Sequence, residues 1–379
     1  MMKRELRELR IASLVATLLA AVALVGCAAH THVPFVPGDH LAGPALIRSL
    51  PGEFEYIDSL PHPTYTIAAE DAAYRTVSLA FPSAGENGQD GNLVTARYYQ
   101  SKSEGAKPLV IVLPIWGIDT YPSNTISAGL RKHGGNINVL QIDGERPLLD
   151  WDVVGDTRSE AEFLNLLDQL IGRFVSTVID IRRVVDWAET QTDVDPQRVA
   201  LIGFSMGALV ASVAMANEPR LAAGILVMGG ADPQDILAAC DHEIGRGREH
   251  VLEQLDWSLD KYRNELAKAS ARVNPARFAG MVDPRRVLII EAAADTCMPP
   301  SSRERLWRAM GRPERIAYLY DHRMAFLAMT FLGGNNLQQQ IYRFLDRGLL
   351  RSPAAQPPSW PTRQVPLAHG ADSRKASVS

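Results

Sequence analysis

The chain predicts an α/β fold in which a mostly parallel central sheet carries helices on both faces. Three observations predict it. Strand-like apolar runs and helical periodicities alternate from about residue 75. Two early strand signals, Thr76 to Phe81 and Leu93 to Tyr99, flank a polar turn over residues 85–91 and read as an antiparallel pair. Finally, Arg198-Val199-Ala200-Leu201-Ile202 runs through Gly203-Phe204-Ser205-Met206-Gly207 into the small apolar stretch Ala208 to Ala216. A continuous apolar run of that length makes a strand buried on both faces. Alternating helices supply the two layers that cover it.

The N-terminus reads as a targeting segment outside the fold. Lys3, Arg4, Arg7 and Arg10 make a positive start diluted by Glu5 and Glu8, and Ile11 to Val25 follows without a charge. That run is short of the roughly 20 apolar residues of a membrane-spanning helix and suits a secretory signal. It closes on Leu24-Val25-Gly26-Cys27, which resembles the bacterial lipobox, where cleavage leaves the cysteine as the lipid-bearing first residue. An ordinary signal peptide cleaved near Ala29 and an uncleaved anchor helix are the other readings. Ala28 after the cysteine implies, by resemblance to Gram-negative lipoproteins, an outer-membrane lipoprotein facing the periplasm. Residues 28–74, with Pro34, Pro37 and Pro44, read as a tether and extension.

Loss of residues 1–27 takes away four positive and two negative charges, and the formal charge moves from −4 to −6. A mildly acidic chain without a basic cluster gives no reason to expect a nucleic-acid partner. No C-x-x-C occurs and the histidines are scattered, so neither a metal nor a cofactor is expected. Cys240 and Cys297 remain beside Cys27. Both follow predicted strand ends on one side of the sheet, which leaves a bridge between them open in an oxidising compartment.

The body is expected over residues 75–348. Leu109 to Leu113 and Ile137 to Ile142 are buried strands, with a short helix over Thr125 to His133 between them. Phe163, Leu167, Leu170, Phe174, Val178, Ile181 and Val185 recur at helical spacing and predict a long amphipathic helix, with Gly172 as its weak point. After the 198–202 strand come strands over Ala222 to Met228, Arg286 to Ile290 and Ile316 to Tyr320. A last helix is expected from Met324 to about Leu349. Residues 349–379, rich in proline, serine and alanine, read as a disordered tail.

A serine held where a buried strand turns sharply into a helix stands clear of the backbone, and flanking glycines permit the turn because they lack a Cβ. With the antiparallel opening and the βα repeats, this resembles the α/β-hydrolase superfamily over roughly residues 75–348, among serine esterases and dienelactone-hydrolase-like proteins. The resemblance implies an order along the chain of nucleophile, acid, histidine. After Ser205 the histidines are His242 and His250, in a charged insertion, His369 in the tail, and His322, just after the last strand. His322 stands where the superfamily places its base. Asp295 lies in the loop Ala292-Ala293-Ala294-Asp295-Thr296-Cys297-Met298-Pro299-Pro300, which resembles the superfamily's acid loop. Asp232 is its main rival, Glu291 lies inside the strand, and Asp321 is adjacent to the histidine. Asp321 also replaces the glycine that usually precedes that histidine.

The resemblance further implies an oxyanion hole from the backbone N–H of Met206 and a second donor in Leu113-Pro114-Ile115-Trp116-Gly117, where Trp116, on alignment with the superfamily's usual His-Gly-x motif, would supply it; the His-Gly pair itself is absent. An insertion over about 231–283 implies a small helical cap. The expected function is therefore an exported, lipid-anchored serine hydrolase of carboxylic esters, using Ser205, His322 and Asp295 on a small acyl substrate. An acyltransferase on the same residues, a peptidase, or a non-catalytic ligand-binding envelope protein are the alternatives.

Overall fold

A computed structural model describes residues 30–37, 52–56, 63–84, 93–116, 121–134, 136–144, 148–330 and 335–350. The proposed signal with Cys27, the 85–91 turn, Gly117, His369 and the tail beyond residue 350 lie outside them.

Ten strands form one sheet: β1 (His30–Val33), β2 (Thr64–Glu70), β3 (Tyr74–Pro82), β4 (Leu93–Ser101), β5 (Lys107–Val112), β6 (Asn138–Ile142), β7 (Val194–Phe204), β8 (Leu221–Val227), β9 (Val287–Ala292) and β10 (Glu314–Tyr318). Their order is β1-β10-β9-β8-β7-β5-β6-β4-β3-β2. The six strands from β10 to β6 run parallel, and the strands outside them pair antiparallel. Leu109 and Ile111 of β5 face one apolar layer, while Val110 and Val112 face the other. Residues two apart share a face, so this alternation of two buried sets explains why β5 reads as an unbroken apolar run. Each such fully buried side chain contributes about 1.5–3 kcal/mol.

The long helix spans Glu160–Glu189 without a break. Ser159 caps it by accepting from the Glu162 N–H at 3.3 Å. Gly172 does not interrupt it: nothing lies within 4 Å of where its Cβ would stand, so the glycine faces open space. The helix between β5 and β6 spans Tyr121–Gly134, and the nucleophile strand β7 is longer than the apolar run that announced it.

Three expectations change. Within the 28–74 tether, His30–Val33 and Thr64–Glu70 are edge strands, and Phe54 is buried edge-on against Phe278 with ring centres 5.5 Å apart. The last helix starts at His322 instead of Met324 and is described over His322–Thr330 and Asn335–Leu345, residues 331–334 lying outside the described residues. Leu349 is fully buried, so packing continues past the 348 boundary. The insertion is helical, built from Pro233–Ala239, His242–Gln254, Leu259–Ser270 and Pro275–Phe278.

Candidate active site

The parallel strands carry their C-terminal ends on one side, and three of those ends supply the site. Ser205 follows β7, Asp295 follows β9, and His322 follows β10 as the first residue of its helix. Ser205 has φ 51° and ψ −116°, a conformation costly for a non-glycine residue, on the order of 1–3 kcal/mol. The surroundings enforce it. Its N–H donates to the Val227 carbonyl at 2.8 Å, and its carbonyl accepts from Ala208 at 2.9 Å. A Cβ on Gly203 would stand 2.1 Å from the Gly207 carbonyl oxygen, so only glycine fits there.

His322 Nε2 lies 3.1 Å from Ser205 Oγ, and His322 Nδ1 lies 2.6 Å from Asp295 Oδ2. A carboxylate only accepts, so Nδ1 carries the hydrogen in this pair and Nε2 is left to accept from the serine hydroxyl. The other carboxylate oxygen, Asp295 Oδ1, accepts from the Cys297 N–H at 2.8 Å and the Met298 N–H at 2.9 Å. Asp295 is buried, and the His322 ring meets Phe326 edge-on at 5.4 Å.

Met206 opens the helix Met206–Asn217, so its N–H has no partner within that helix and is free to meet an anion. Trp116, at the end of β5 beside β7, has φ 58°, a left-handed turn that reorients the loop backbone. It packs against the same core layer as Met206.

The prolyl oligopeptidase family model matches residues 149–332, which contain Ser205, Asp295 and His322. Among solved structures, an acetyl xylan esterase from Paenibacillus sp. R4 superposes with TM-score 0.57 at 15% identity, over 76% of this chain and 89% of that one. Acetyl xylan esterase 1 from Thermoanaerobacterium sp. JW/SL YS485 gives TM-score 0.51 at 18% identity, over 72% and 87%. The chain has an α/β-hydrolase-like fold. No curated protein sequence matches it.

Within this α/β-hydrolase-like fold the rival acids are engaged elsewhere. Asp232 exchanges hydrogen bonds with Asn274, accepting from Nδ2 at 2.8 Å and donating its own N–H to Oδ1 at 3.0 Å. Glu291 is buried in β9 and accepts from Arg315 at 2.7 Å. Asp321 accepts from the Met324 N–H at 2.7 Å and thereby caps the helix that begins at His322. That capping role accounts for an aspartate where the superfamily usually has glycine. The Nε2–H of His250 donates to the Thr157 carbonyl at 2.9 Å, away from Ser205; the His242 side chain is outside the described residues.

Some supporting residues were not legible in the sequence. Buried Arg303 donates to the Ala292 carbonyl at 2.9 Å and the Ala293 carbonyl at 3.2 Å, bracing the start of the acid loop. Cys240 and Cys297 are joined as a disulfide, which resolves the bridge left open above. An apolar cavity of about 50 Å³ lies between the long helix, the insertion and the nucleophile helix, with Leu167, Phe174, Met206, Leu209, Ile236 and Leu266 on its walls. Among the described residues, no group of His, Cys, Asp and Glu is gathered to hold a metal ion.

Proposed function

We propose that this α/β hydrolase is a serine hydrolase of carboxylic esters that works through an acyl-enzyme. The observation that carries the reading is the continuous hydrogen-bonded line from Ser205 Oγ through His322 to Asp295. Ser205 Oγ attacks the acyl carbon while His322 Nε2 takes its proton, and Asp295 holds the ring and stabilises the imidazolium. The oxyanion is met by the Met206 N–H, with Trp116 as the second backbone donor; each such donor contributes about 3–4 kcal/mol in the transition state. His322 then protonates the leaving alkoxide, and water repeats the cycle to release the acid. The cavity beside Met206 suits a short apolar group of a few carbons, since a cavity of about 150 Å³ holds benzene.

A fluorophosphonate probe should label the wild type at Ser205 and leave Ser205→Ala unlabelled. Equal labelling of both proteins would overturn the reading. A panel of simple esters and peptides then separates ester from peptide hydrolysis, and product analysis with an added alcohol separates hydrolysis from acyl transfer.

Export and lipid attachment at Cys27 belong to the same proposal, supported by the charged start, the uncharged run and the Leu24-Val25-Gly26-Cys27 sequence. Each buried methylene of an acyl chain contributes about 0.8 kcal/mol, and more than one chain anchors stably. The expected location is the outer membrane, facing the periplasm. Cys27→Ser should move the protein out of the membrane fraction of an expressing Gram-negative cell; unchanged fractionation would remove the anchor from the reading.

A further inference from the structure

The loop bearing Asp295 is held from two sides. On the sheet side, the Ala293 N–H donates to the Tyr318 carbonyl at 2.6 Å and the Ala294 N–H to the Tyr320 carbonyl at 2.9 Å. The loop is also bonded covalently to the insertion through Cys240–Cys297. The anchoring end is itself fixed. Cys240 is buried, its N–H donates to the Ile236 carbonyl, and Arg248 Nη1 donates to the carbonyls of Ala238 at 2.8 Å and Cys240 at 2.9 Å. Cys297 is also the residue whose backbone N–H binds Asp295 Oδ1, while Asp295 Oδ2 binds His322. One residue therefore carries both the cross-link and one of the two backbone hydrogen bonds that orient the acid.

We propose that Cys240 and Cys297 are positioning residues for the reaction: their disulfide fixes the Cys297 N–H, and through it the Asp295 carboxylate, against His322. The insertion thus takes part in aligning the acid. The inference rests on Asp295 serving as the acid in the proposed ester hydrolysis. A small displacement at a catalytic group is enough to matter, since about 1 Å costs up to about a hundredfold in rate.

The test is a double-mutant cycle on the full-length protein. Cys240→Ser/Cys297→Ser is compared with wild type, in both the Asp295 and the Asp295→Asn backgrounds, with active sites counted by fluorophosphonate titration. The expected result is a fall of about ten- to a hundredfold in kcat per active site with KM for a small ester unchanged, and little further loss in the Asp295→Asn background. An equal loss in both backgrounds, or none in the first, would overturn the inference. A second readout does not depend on turnover: the low-field proton resonance of His322 Nδ1–H, identified by its absence from His322→Gln, should broaden or shift upfield when the cross-link is removed. If wild type is inert toward esters and the probe, the ester-hydrolase reading fails, while an unchanged resonance in the double serine variant sinks the positioning role separately.

Discussion

Gly207 lies directly beneath Pro114: a Cβ at position 207 would stand 2.4 Å from the Pro114 carbonyl oxygen. The start of the nucleophile helix and the loop proposed to complete the oxyanion hole are thus in backbone contact. Gly207→Ala must push the loop away, at a cost of about 1–3 kcal/mol, and should lower turnover through Trp116. Gly172→Ala, in open space on the long helix, should instead stabilise by roughly 0.5–1 kcal/mol. Urea unfolding and ester turnover of the two variants check the opposite signs.

Asp295 and Asp232 are separated by their partners. Asp295→Asn removes the acceptor that fixes the His322 tautomer and should lower kcat by about 10³–10⁴. Asp232→Asn disturbs the pairing with Asn274 and the 3.9 Å contact with Arg305, and its kcat should stay near wild type. Steady-state kinetics on a simple ester decide between them; a large loss in Asp232→Asn alone would reassign the acid.

Asp321 acts on His322 through the helix start. Asp321→Ala removes the cap bond to the Met324 N–H and should cost about 1 kcal/mol. It should also lower kcat, because His322 is the first residue of the loosened turn. Asp321→Ser supplies a replacement oxygen and should recover most of both quantities, as thermal unfolding and kinetics would read.

Asp180, buried in the long helix, accepts from the Ala84 N–H at 2.7 Å and from the Ser83 hydroxyl. Burial nevertheless pushes its pKa up to about 6, against the lowering effect of those bonds and of Arg183. Between about pH 4 and 6 the unfolded chain releases this proton while the native state keeps it. Native protein binds more protons there, so this group's contribution to stability falls as pH rises, by about 3 kcal/mol across the window. Asp180→Asn cannot titrate. The stability difference between wild type and Asp180→Asn in urea should therefore favour wild type more at pH 4 than at pH 7.

Sequence patterning carried the centre of the fold and lost its rim. β5, β9 and the Val199–Phe204 part of β7 are buried on both faces, so their composition announces them whatever surrounds them. β2 is exposed at every position from Thr64 to Glu70, and without a buried face it has no alternation to read; pairing with β3 alone defines it. The site divides in the same way. Ser205 and His322 were legible because each follows a recognisable strand. The bonds that orient Asp295 come from backbone N–H groups of Cys297 and Met298, which any residue type supplies, and the tie to Cys240 spans 57 residues.

The register of β1 has a consequence for where this enzyme would work. β1 runs antiparallel to β10, and His30 stands opposite Tyr318. Its first residue is therefore at the end of the sheet from which His322 follows. Two residues, Ala28 and Ala29, lie between Cys27 and His30, three steps of a chain that spans at most about 3.5 Å per residue. Under the proposed attachment, the lipid would sit within about 10 Å of that edge, with no long stalk between. The catalytic mouth would then work close over the bilayer surface, and esters carried in or near the lipid leaflet would reach it over a shorter path than those free in the surrounding fluid.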